Sequence, residues 1–499
     1  MANIKKIKLN AFKFQPFSKK QMQLLTWWQE DSPVSDRFIC VADGSIRAGK
    51  EQSVKSKLYT PDGFKLMGEI KKGDYVFNRK GNPVRVLDIF PQGVKDVYRV
   101  TFNDGSSCLC GKEHLWGVYK YSTYNHGNKH IFCVDTVELI CSLSEKRRRP
   151  KYLLPLNDCV QFNSSPVLID AYLLGLLLGD GCTTSTNISI TNSEFDILGF
   201  CMKLTKDYSL EENISRIKFI GEFNKKLKNK LTEYGLLGVH GDKKFIPSCY
   251  KYNSANVRLS ILAGILNTDG CAKRCRPTIR YSSTSKQLVC DVIEVARSLG
   301  MYVIDNGVKH FDNENWKDSY MCTIRVSKEL CVLLSDKHRK KLSYEQRPRE
   351  FRTIKSIEYA GKDECQCILV DDDEHLYLTD DFIVTHNTVA MITSFALYVM
   401  THFEQQNAAI CGKSIGTLKR NVVNPLKQIC ETIGYEVIEH RSENFLEIRN
   451  GDKVNFVYLF GGKDESSQDL VQGITLCSVM LDEVALIDWC RAVWKHTVL

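Results

Sequence analysis

The chain has 499 residues, of which 43% are hydrophobic and 25% charged, and its formal net charge is +9. This length predicts three or so domains at about 150 residues each, and the composition is that of a soluble globular protein. The longest apolar run, 171–179, is shorter than the roughly 20 residues that span a bilayer, and no apolar stretch follows the basic N-terminus. These features exclude a membrane-spanning or secreted protein, and we expect a cytoplasmic location in a bacterial cell.

The first segment ends in a strand-like run, 38–42, that leads into a glycine-rich turn. A phosphate-binding P-loop has the pattern G-x-x-x-x-G-K followed by Ser or Thr, because that hydroxyl binds Mg²⁺ while the Lys and backbone N–H groups hold the phosphates. Gly44, Gly49 and Lys50 fit this pattern, but Glu51 stands at the hydroxyl position. The phosphate site is therefore incomplete in the continuous chain.

The sequence pattern changes twice along the chain. From about residue 58, short alternating runs separated by turn residues predict a compact all-β module. A mixed region with strongly apolar helices follows from about 165 to 345. After residue 388 a helix pattern is followed by apolar runs at 454–460 and 477–481, which favour buried strands of a parallel sheet.

Joining Lys50 directly to Thr388 completes the P-loop. The missing hydroxyl then stands after the lysine, with a predicted strand before the loop and a predicted helix after it, as the motif requires. Further along, Asp482 and Glu483 follow an apolar run and form a candidate Walker B element. Asp482 would bind the Mg²⁺ shell and Glu483 would orient the attacking water. Residues 51–387 therefore read as an insertion in an ATPase.

The right-hand edge of this insertion carries its own chemistry. The carboxamide of Asn387 can attack the peptide carbonyl that follows it, which cleaves the chain, while His386 donates or relays protons. Thr388 supplies a hydroxyl nucleophile that can receive the upstream segment. The segment 382–388 thus resembles the C-terminal splice junction of inteins, the protein insertions that excise themselves.

Most inteins begin with Cys or Ser, whereas this insertion begins with Glu51. It resembles a smaller class of inteins that lack the first nucleophile and carry a recognisable set of other residues. That set is His114, Trp116, Cys367 and Thr385 here. The Thr usually found three residues before the block B His is replaced by Gly111.

This resemblance implies a splicing route without an N-terminal nucleophile. Cys367 would attack the Lys50 carbonyl, His114 would activate the Lys50–Glu51 bond, Thr388 would take over the acyl group and Asn387 would cyclise. No cofactor is expected for these steps. Cys365 is a rival nucleophile, since it lies only two residues away.

Two segments of the mixed region, 173–181 and 262–270, resemble the paired LAGLIDADG motifs of homing endonucleases. In that family each motif is a helix whose small residues allow close packing against its twin, and each ends in an acid. The resemblance implies that Asp180 and Asp269 share divalent metal, Mg²⁺, for phosphodiester hydrolysis.

Basic residues accompany this motif pair. The segment 243–247 resembles the family's block D, and Lys244 is the lysine we assign to the catalytic centre. A basic, polar stretch after the second motif suits a β-ribbon in the major groove of double-stranded DNA. Its charged residues are Lys273, Arg274, Arg276 and Arg280.

The joined host segments resemble the N-terminal ATPase of a phage terminase large subunit, and Arg47 inside the P-loop is typical of those motors. The resemblance implies binding of ATP and Mg²⁺ and, in a full-length protein, assembly with other terminase subunits and portal. Because the chain stops soon after the candidate Walker B element, we expect a truncated ATPase.

The predicted fold is multidomain: a discontinuous α/β P-loop ATPase is interrupted by an all-β Hint splicing domain that carries an α+β LAGLIDADG endonuclease domain. The predicted boundaries are 1–50 and 388–499 for the host, 51–163 and 346–387 for the splicing domain, and 164–345 for the endonuclease.

Two alternatives stay open at this point. Glu51 and Gly111 are compatible with a relic that no longer splices, which would leave the ATPase permanently interrupted. The LAGLIDADG pair is also compatible with a DNA-binding module that has lost cleavage.

Overall fold

A computed structural model of the chain describes residues 51–461 and 475–481, apart from short gaps. The gaps are 113, 125, 128, 130, 145–147, 313–316, 344–348, 373, 375, 387–389, 413–414, 424–425, 428–429 and 431–433. The chain divides into two compact units, Lys50–Asn387 and the terminal segments Met1–Gly49 with Thr388–Leu499. No helix in the described ranges is both long and apolar enough to cross a membrane. The predictions on Gly44, Arg47, Gly49, Lys50, Asn387, Thr388, Asp482 and Glu483 lie outside the described residues.

The first part of the larger unit, 51–163, consists mainly of short antiparallel strands joined by tight turns. Gly105 lets the chain reverse between two of these strands, since its φ of +83° is one that glycine adopts without strain. The strands are β1 (Gln52–Ser53), β2 (Lys57–Thr60), β3 (Gly63–Leu66), β4 (Tyr75–Phe77), β5 (Pro83–Phe102), β6 (Ser107–Gly111), β7 (Leu115–Lys120), β8 (Phe132–Asp135) and β9 (Tyr152–Pro155). The helices are a 3-10 turn (Met67–Glu69), α1 (Tyr121–Tyr124) and α2 (Thr136–Ser144).

The mixed part that follows contains the same arrangement twice, a buried helix leading into a four-stranded antiparallel sheet. The sheet orders are β10-β11-β13-β12 and β14-β15-β17-β16, and one hydrophobic core fills both halves. Its helices are α3 (Ala171–Leu178), α4 (Phe195–Leu204), α5 (Gly221–Glu233), α6 (Ser248–Lys251), α7 (Ala255–Asp269), α8 (Lys286–Ser298), α9 (Lys328–Leu333) and α10 (Asp336–Arg339), with 3-10 turns at Glu212–Ile214 and Gly241–Lys243. Its strands are β10 (Gly181–Cys182), β11 (Ser189–Thr191), β12 (Tyr208–Glu211), β13 (Arg216–Phe219), β14 (Gly270–Ala272), β15 (Thr278–Ser283), β16 (Val303–Lys309) and β17 (Ser319–Arg325).

After the mixed part the chain returns to the first β-sheets. The returning elements are β18 (Phe351–Arg352), β19 (Ile354–Val370), β20 (Leu376–Thr379), a 3-10 turn (Asp380–Phe382) and β21 (Ile383–His386). β19 pairs with β5 along almost its whole length, and the main sheet has the order β19-β1-β6-β5-β4. Strands from both sides of the mixed part therefore build one β structure, and β1 lies between β19 and β6.

The smaller unit contains a five-stranded sheet in the order β23-β24-β25-β22-β26. β22 pairs in parallel with β25 and β26, so the two predicted parallel strands are confirmed. The sheet is mixed, because β23 and β24 add antiparallel strands at one edge that the sequence analysis did not predict. The elements are α11 (Ala390–His402), β22 (Asn407–Gly412), α12 (Ile415–Leu418), a π-helical turn (Lys419–Val423), β23 (Glu436–His440), β24 (Phe445–Asn450), β25 (Lys453–Gly461) and β26 (Ser478–Leu481).

Candidate functional site

The first described residue of the predicted insertion, Glu51, directly precedes β1, an inner strand of the main sheet. In β1, Gln52 pairs with Gln366 of β19 on one side and with Cys110 of β6 on the other. One residue earlier, this register puts Glu51 opposite Cys367, and the Gly111 N–H donates to the Glu51 carbonyl at 2.8 Å. Glu51 is only 3% exposed and Cys367 is fully buried. A buried thiol therefore faces the residue that follows the predicted scissile bond.

The rival thiol occupies a different position on the same strand. Cys365 pairs with Ser53, two residues further into the insertion than Glu51, which is about 7 Å along a strand. Burial, and then the negative charge of Glu51, raise the pKa of Cys365 to about 11, so its nucleophilic thiolate is scarce at neutral pH. The position along the strand therefore favours Cys367 over Cys365.

The C-terminal strand of the insertion, β21, contacts the region around Glu51 and Gly111 through His114. The His114 imidazole Nε2 hydrogen-bonds the hydroxyl of Thr385, which is fully buried in β21. The Trp116 ring packs edge to face against the His114 ring, with 5.0 Å between ring centroids. Three of the predicted residues, Thr385, His114 and Trp116, are thus joined by contacts through His114. Thr385 directly precedes His386, of which the structure describes only the backbone.

Thr136 is a residue of this region that the sequence analysis missed. Its hydroxyl accepts a hydrogen bond from the Trp116 indole at 3.1 Å and lies 3.1 Å from the Gly111 carbonyl and 3.2 Å from the His114 carbonyl. It therefore fixes both ends of the loop that presents His114. A single threonine at the start of a helix carries no recognisable sequence signal for such a role.

An ionic cluster built on two buried arginines was also missed. Arg297, on α8 of the mixed part, donates to the Asp381 carboxylate at 2.6 Å and to the Asp104 carbonyl at 3.1 Å. Arg352 pairs with the Asp104 carboxylate at 3.2 Å, and both side chains are almost fully buried. Asp381 lies in the turn that leads into β21. An arginine on the apolar face of an amphipathic helix was the available signal, since such a residue requires a buried partner.

The two predicted motif helices of the mixed part pack through glycine. A Cβ added to Gly175 of α3 would lie 2.4 Å from the Ile261 carbonyl oxygen, and one added to Gly264 of α7 would lie 2.5 Å from the Tyr172 carbonyl oxygen. The two backbones are thus too close for any side chain at these points. This contact brings the carboxyl ends of α3 and α7 together.

The two aspartates at these helix ends interact electrostatically. Burial, and then the negative charge of Asp180, raise the pKa of Asp269 to about 6. Burial also raises the pKa of Asp180, although the Asn192 amide donates to its carboxylate at 2.6 Å. Carboxylate oxygens are the ligands that Mg²⁺ prefers, and a divalent cation would offset the repulsion between the pair, so these residues fit such an ion.

Lys244 lies beside this pair and is held rigidly. Its ammonium donates to the carbonyls of Leu177, Gly179 and Gly181 at 2.9, 3.0 and 2.9 Å, and so all three of its donors are used. Burial lowers its pKa, while the charges of Asp269 and Asp180 act in the opposite direction. Lys244 therefore supplies a fixed positive charge and orders the turn that carries Asp180.

The predicted basic ribbon is formed by β14, β15 and their connection. Ile279 and Tyr281 are buried while Arg280 between them is exposed, which gives the ribbon one apolar and one basic face. Lys273, Arg274 and Arg276 are also exposed. The ribbon offers a cationic surface suited to phosphate contacts.

Comparison with protein families identifies a domain within the mixed part of the chain. Residues 245–345 match the family model described as homing endonuclease. The match includes α7 with Asp269 and the β14-β15-β17-β16 sheet, while α3 and Asp180 precede it. The chain therefore carries a homing endonuclease domain, and such a domain implies binding of DNA.

Two curated relatives are both named replicative DNA helicase DnaB. The protein from Mycobacterium intracellulare is 26% identical over 366 residues, which covers 68% of this chain and 59% of the relative. The protein from Rhodothermus marinus is 26% identical over 241 residues, which covers 44% of this chain and 23% of the relative. The chain thus spans less than two thirds of the length of either relative.

Solved structures of two kinds are also similar to this chain. The large terminase of a thermophilic bacteriophage is 46% identical over 22% of this chain and 27% of that one, with a TM-score of 0.21. The MchDnaB-1 intein is 11% identical over 67% of this chain and 99% of that one, with a TM-score of 0.22.

Proposed function

We propose that the chain is a self-splicing precursor in which residues 51–387 excise themselves and join Lys50 to Thr388. The observation that carries this proposal is the position of β1, whose register puts Glu51 opposite Cys367. The His114–Thr385 contact supports it further, because it links the region of the first junction to the strand that precedes Asn387.

The proposed chemistry starts at the first junction and ends at the second. The Cys367 sulfur attacks the Lys50 carbonyl carbon, the Lys50–Glu51 bond breaks, and the thiol proton passes to the Glu51 amine with assistance from His114. The Thr388 hydroxyl then displaces the thioester, which returns the proton to the Cys367 sulfur. Cyclisation of Asn387, assisted by His386, releases the insertion, and an O-to-N acyl shift leaves a normal peptide bond.

Substitution of the two thiols tests this route. Cys367→Ala is expected to abolish the joined product, whereas Cys365→Ala, the matched control two residues away on the same face of β19, retains it. Products are quantified by mass spectrometry after expression of each chain. Equal amounts of joined product from both variants would remove Cys367 from the mechanism.

We further propose that the mixed part cleaves double-stranded DNA with Mg²⁺. Asp180 and Asp269 would hold the metal, whose role is to activate water and stabilise the phosphate charge, and the basic ribbon would bind the DNA backbone. The homing endonuclease match over 245–345 and the glycine-mediated contact of α3 with α7 support this activity.

The nuclease is tested on a plasmid that carries the host gene without the insertion. Mg²⁺-dependent cleavage at the insertion point is expected, and the same plasmid with the insertion present is the uncut control. Asp180→Asn and Asp269→Asn should each abolish cleavage while DNA binding persists. If both variants cut at the original rate, the two-carboxylate mechanism is wrong; binding without cleavage by the unaltered chain would instead identify a DNA-binding module.

We propose a P-loop ATPase of the terminase type for the joined host. Support comes from α11, which begins at Ala390, two residues after Thr388, and from β26, which ends at Leu481 immediately before Asp482. Gly44, Arg47, Gly49, Lys50 and Thr388 would bind ATP and Mg²⁺, with Glu483 as the residue that orients water. In a full-length protein the partners would be other terminase subunits and portal.

The similarity to DnaB helicases is assigned to the insertion under this proposal. The match to the Mycobacterium intracellulare protein covers 68% of the chain, about the two thirds that residues 51–387 make up. The shared sequence is then the splicing and endonuclease parts rather than a helicase core.

A further inference from the structure

Two departures from the intein pattern meet in space. Glu51 stands where inteins usually begin with Cys or Ser, and Gly111 stands where block B usually has Thr. The Gly111 N–H donates to the Glu51 carbonyl at 2.8 Å, and the pairing of β1 with β6 sets the two residues side by side.

The space between them excludes a second side chain. A Cβ built on Gly111 would lie 2.9 Å from the Glu51 Cβ, 3.1 Å from its Oε2 and 3.5 Å from its Cδ. Real Cβ atoms essentially never show contacts under 3.0 Å, so Glu51 or its surroundings would have to shift. The Glu51 side chain, from its Cβ to its carboxyl group, therefore fills the volume that a residue-111 side chain would occupy.

Backbone conformation does not explain the glycine. Gly111 is not among the glycines of the described residues with positive φ, so its conformation is open to other amino acids. The three atoms nearest to a Cβ at position 111 all belong to Glu51, so the crowding there comes from that side chain.

We propose that Glu51 and Gly111 are a matched pair. The missing side chain at 111 makes room for the buried glutamate, and this keeps Glu51 opposite Cys367. Both are positioning residues for the first step, in which the sulfur–carbon bond to Lys50 forms as the carbon–nitrogen bond to Glu51 breaks. The consequence for splicing rests on the proposed function, whereas the packing of the pair does not.

Independent damage at positions 51 and 111 would have a different consequence. In that case each departure would weaken the site, and a larger residue at 111 would help or do nothing. In a matched pair, a side chain at 111 is harmful while Glu51 is present and tolerated once position 51 has no side chain.

A double-mutant cycle on thermal unfolding tests the packing without requiring splicing. In a chain with Cys367→Ala and Asn387→Ala, Gly111→Ala is expected to lower Tm by about 2–6 °C, because overpacking a buried contact is destabilising. In the same chain with Glu51→Gly, the Gly111→Ala change should lower Tm by less than half as much. Glu51→Gln keeps the Cβ and the bulk of the side chain, and it is the control that should give no such relief.

Equal losses of Tm in the Glu51 and Glu51→Gly chains would overturn the matched pair. If Gly111→Ala alone yields only aggregated protein, recovery of folded protein from the Glu51→Gly, Gly111→Ala chain counts as relief. If the Gly111→Ala chain and the Glu51→Gly, Gly111→Ala chain both aggregate while the Glu51→Gly chain folds, the matched pair is overturned as well.

The second readout is splicing in the chain with Cys367 and Asn387 intact. Gly111→Ala should slow the joined product about tenfold or more, equivalent to roughly 1.4 kcal/mol in the barrier, and Glu51→Gly should restore most of that loss relative to its own single variant. Cleavage after Asn387 should change far less than cleavage at Lys50, which a general loss of structure would not produce. Coupling in unfolding without splicing in any chain would contradict the proposed function and leave the pair intact; splicing without coupling in either readout would contradict the pair alone.

Discussion

At the scale of single residues, the sites are organised by what each side chain contacts. Lys244 is an example, since a lysine beside two carboxylates suggests a proton donor or a phosphate ligand. Its three donors are instead bound by backbone carbonyls, which leaves none for a substrate. The charge of Lys244 acts on Asp180 and Asp269 from a fixed place, so its proposed role is electrostatic and positional.

Replacing Lys244 with methionine tests this role. The change leaves three carbonyls at the end of α3 without their donor, and we expect a loss of about 2 kcal/mol in unfolding free energy together with at least tenfold slower DNA cleavage. The neighbouring Lys243 is exposed, and Lys243→Met is the matched control with little effect on either quantity. Unchanged cleavage kinetics in Lys244→Met, measured on the insertion-free plasmid, would contradict the assignment.

At the scale of elements, the contact of α3 with α7 sets the geometry of the acid pair. α3 is apolar all round, and α7 is buried continuously from Ile261 to Asn267, which is typical of helices in a domain core. The glycines at their crossing permit direct backbone contact. The same residues that fix the helix pair therefore fix the distance between the two carboxyl-terminal acids.

Glycine substitutions separate this packing effect from helix propensity. Gly175→Ala is expected to destabilise the chain by about 2 kcal/mol, because its methyl group would overlap the Ile261 carbonyl. Gly199 in α4 has no neighbour within 4 Å of an added Cβ, so Gly199→Ala should be neutral or stabilise by about 0.5–1 kcal/mol. Denaturant unfolding measures both, and similar losses from the two variants would exclude close packing as the cause.

α8 connects the mixed part to the β structure through Arg297. Because its partner Asp381 lies in the turn before β21, removal of the guanidinium should disturb the strand that carries Thr385. We expect Arg297→Ala to cost about 2–4 kcal/mol in unfolding free energy and to slow cleavage after Asn387. Lys286 is exposed on the same helix, and Lys286→Ala is the control. Full stability of Arg297→Ala in denaturant unfolding would show that this ion pair does not support β21.

Part of the fold and of the candidate sites could be predicted from the sequence, and part could not. The motif helices, the parallel strands and the residues of the predicted splicing set carry local patterns, and the structure brings His114, Trp116 and Thr385 together. Thr136 and the Arg297–Asp381 pair could not be assigned, because their partners lie 20 or more residues away and depend on tertiary packing. The fit between Glu51 and Gly111 was hidden for the same reason, since only the register of β1 reveals it.

At the scale of the whole molecule, the insertion and its host occupy different compact units. The larger unit, Lys50–Asn387, begins and ends within one residue of the predicted splice junctions, and the host unit is assembled from both termini. A host that is discontinuous in sequence yet forms one unit is the arrangement that excision would convert into a continuous chain. The ATPase site would then exist only in the product.

Self-splicing is tested most directly by the intact mass of the expressed chain, followed over time. The precursor is 57.0 kDa, and excision predicts its conversion into species of about 38 kDa and about 18 kDa, in proportion to their residue numbers. Digestion of the smaller species should yield a peptide that contains Lys50 joined to Thr388. A 57.0 kDa chain that persists without either product would contradict self-splicing and favour a relic in which the host ATPase stays interrupted.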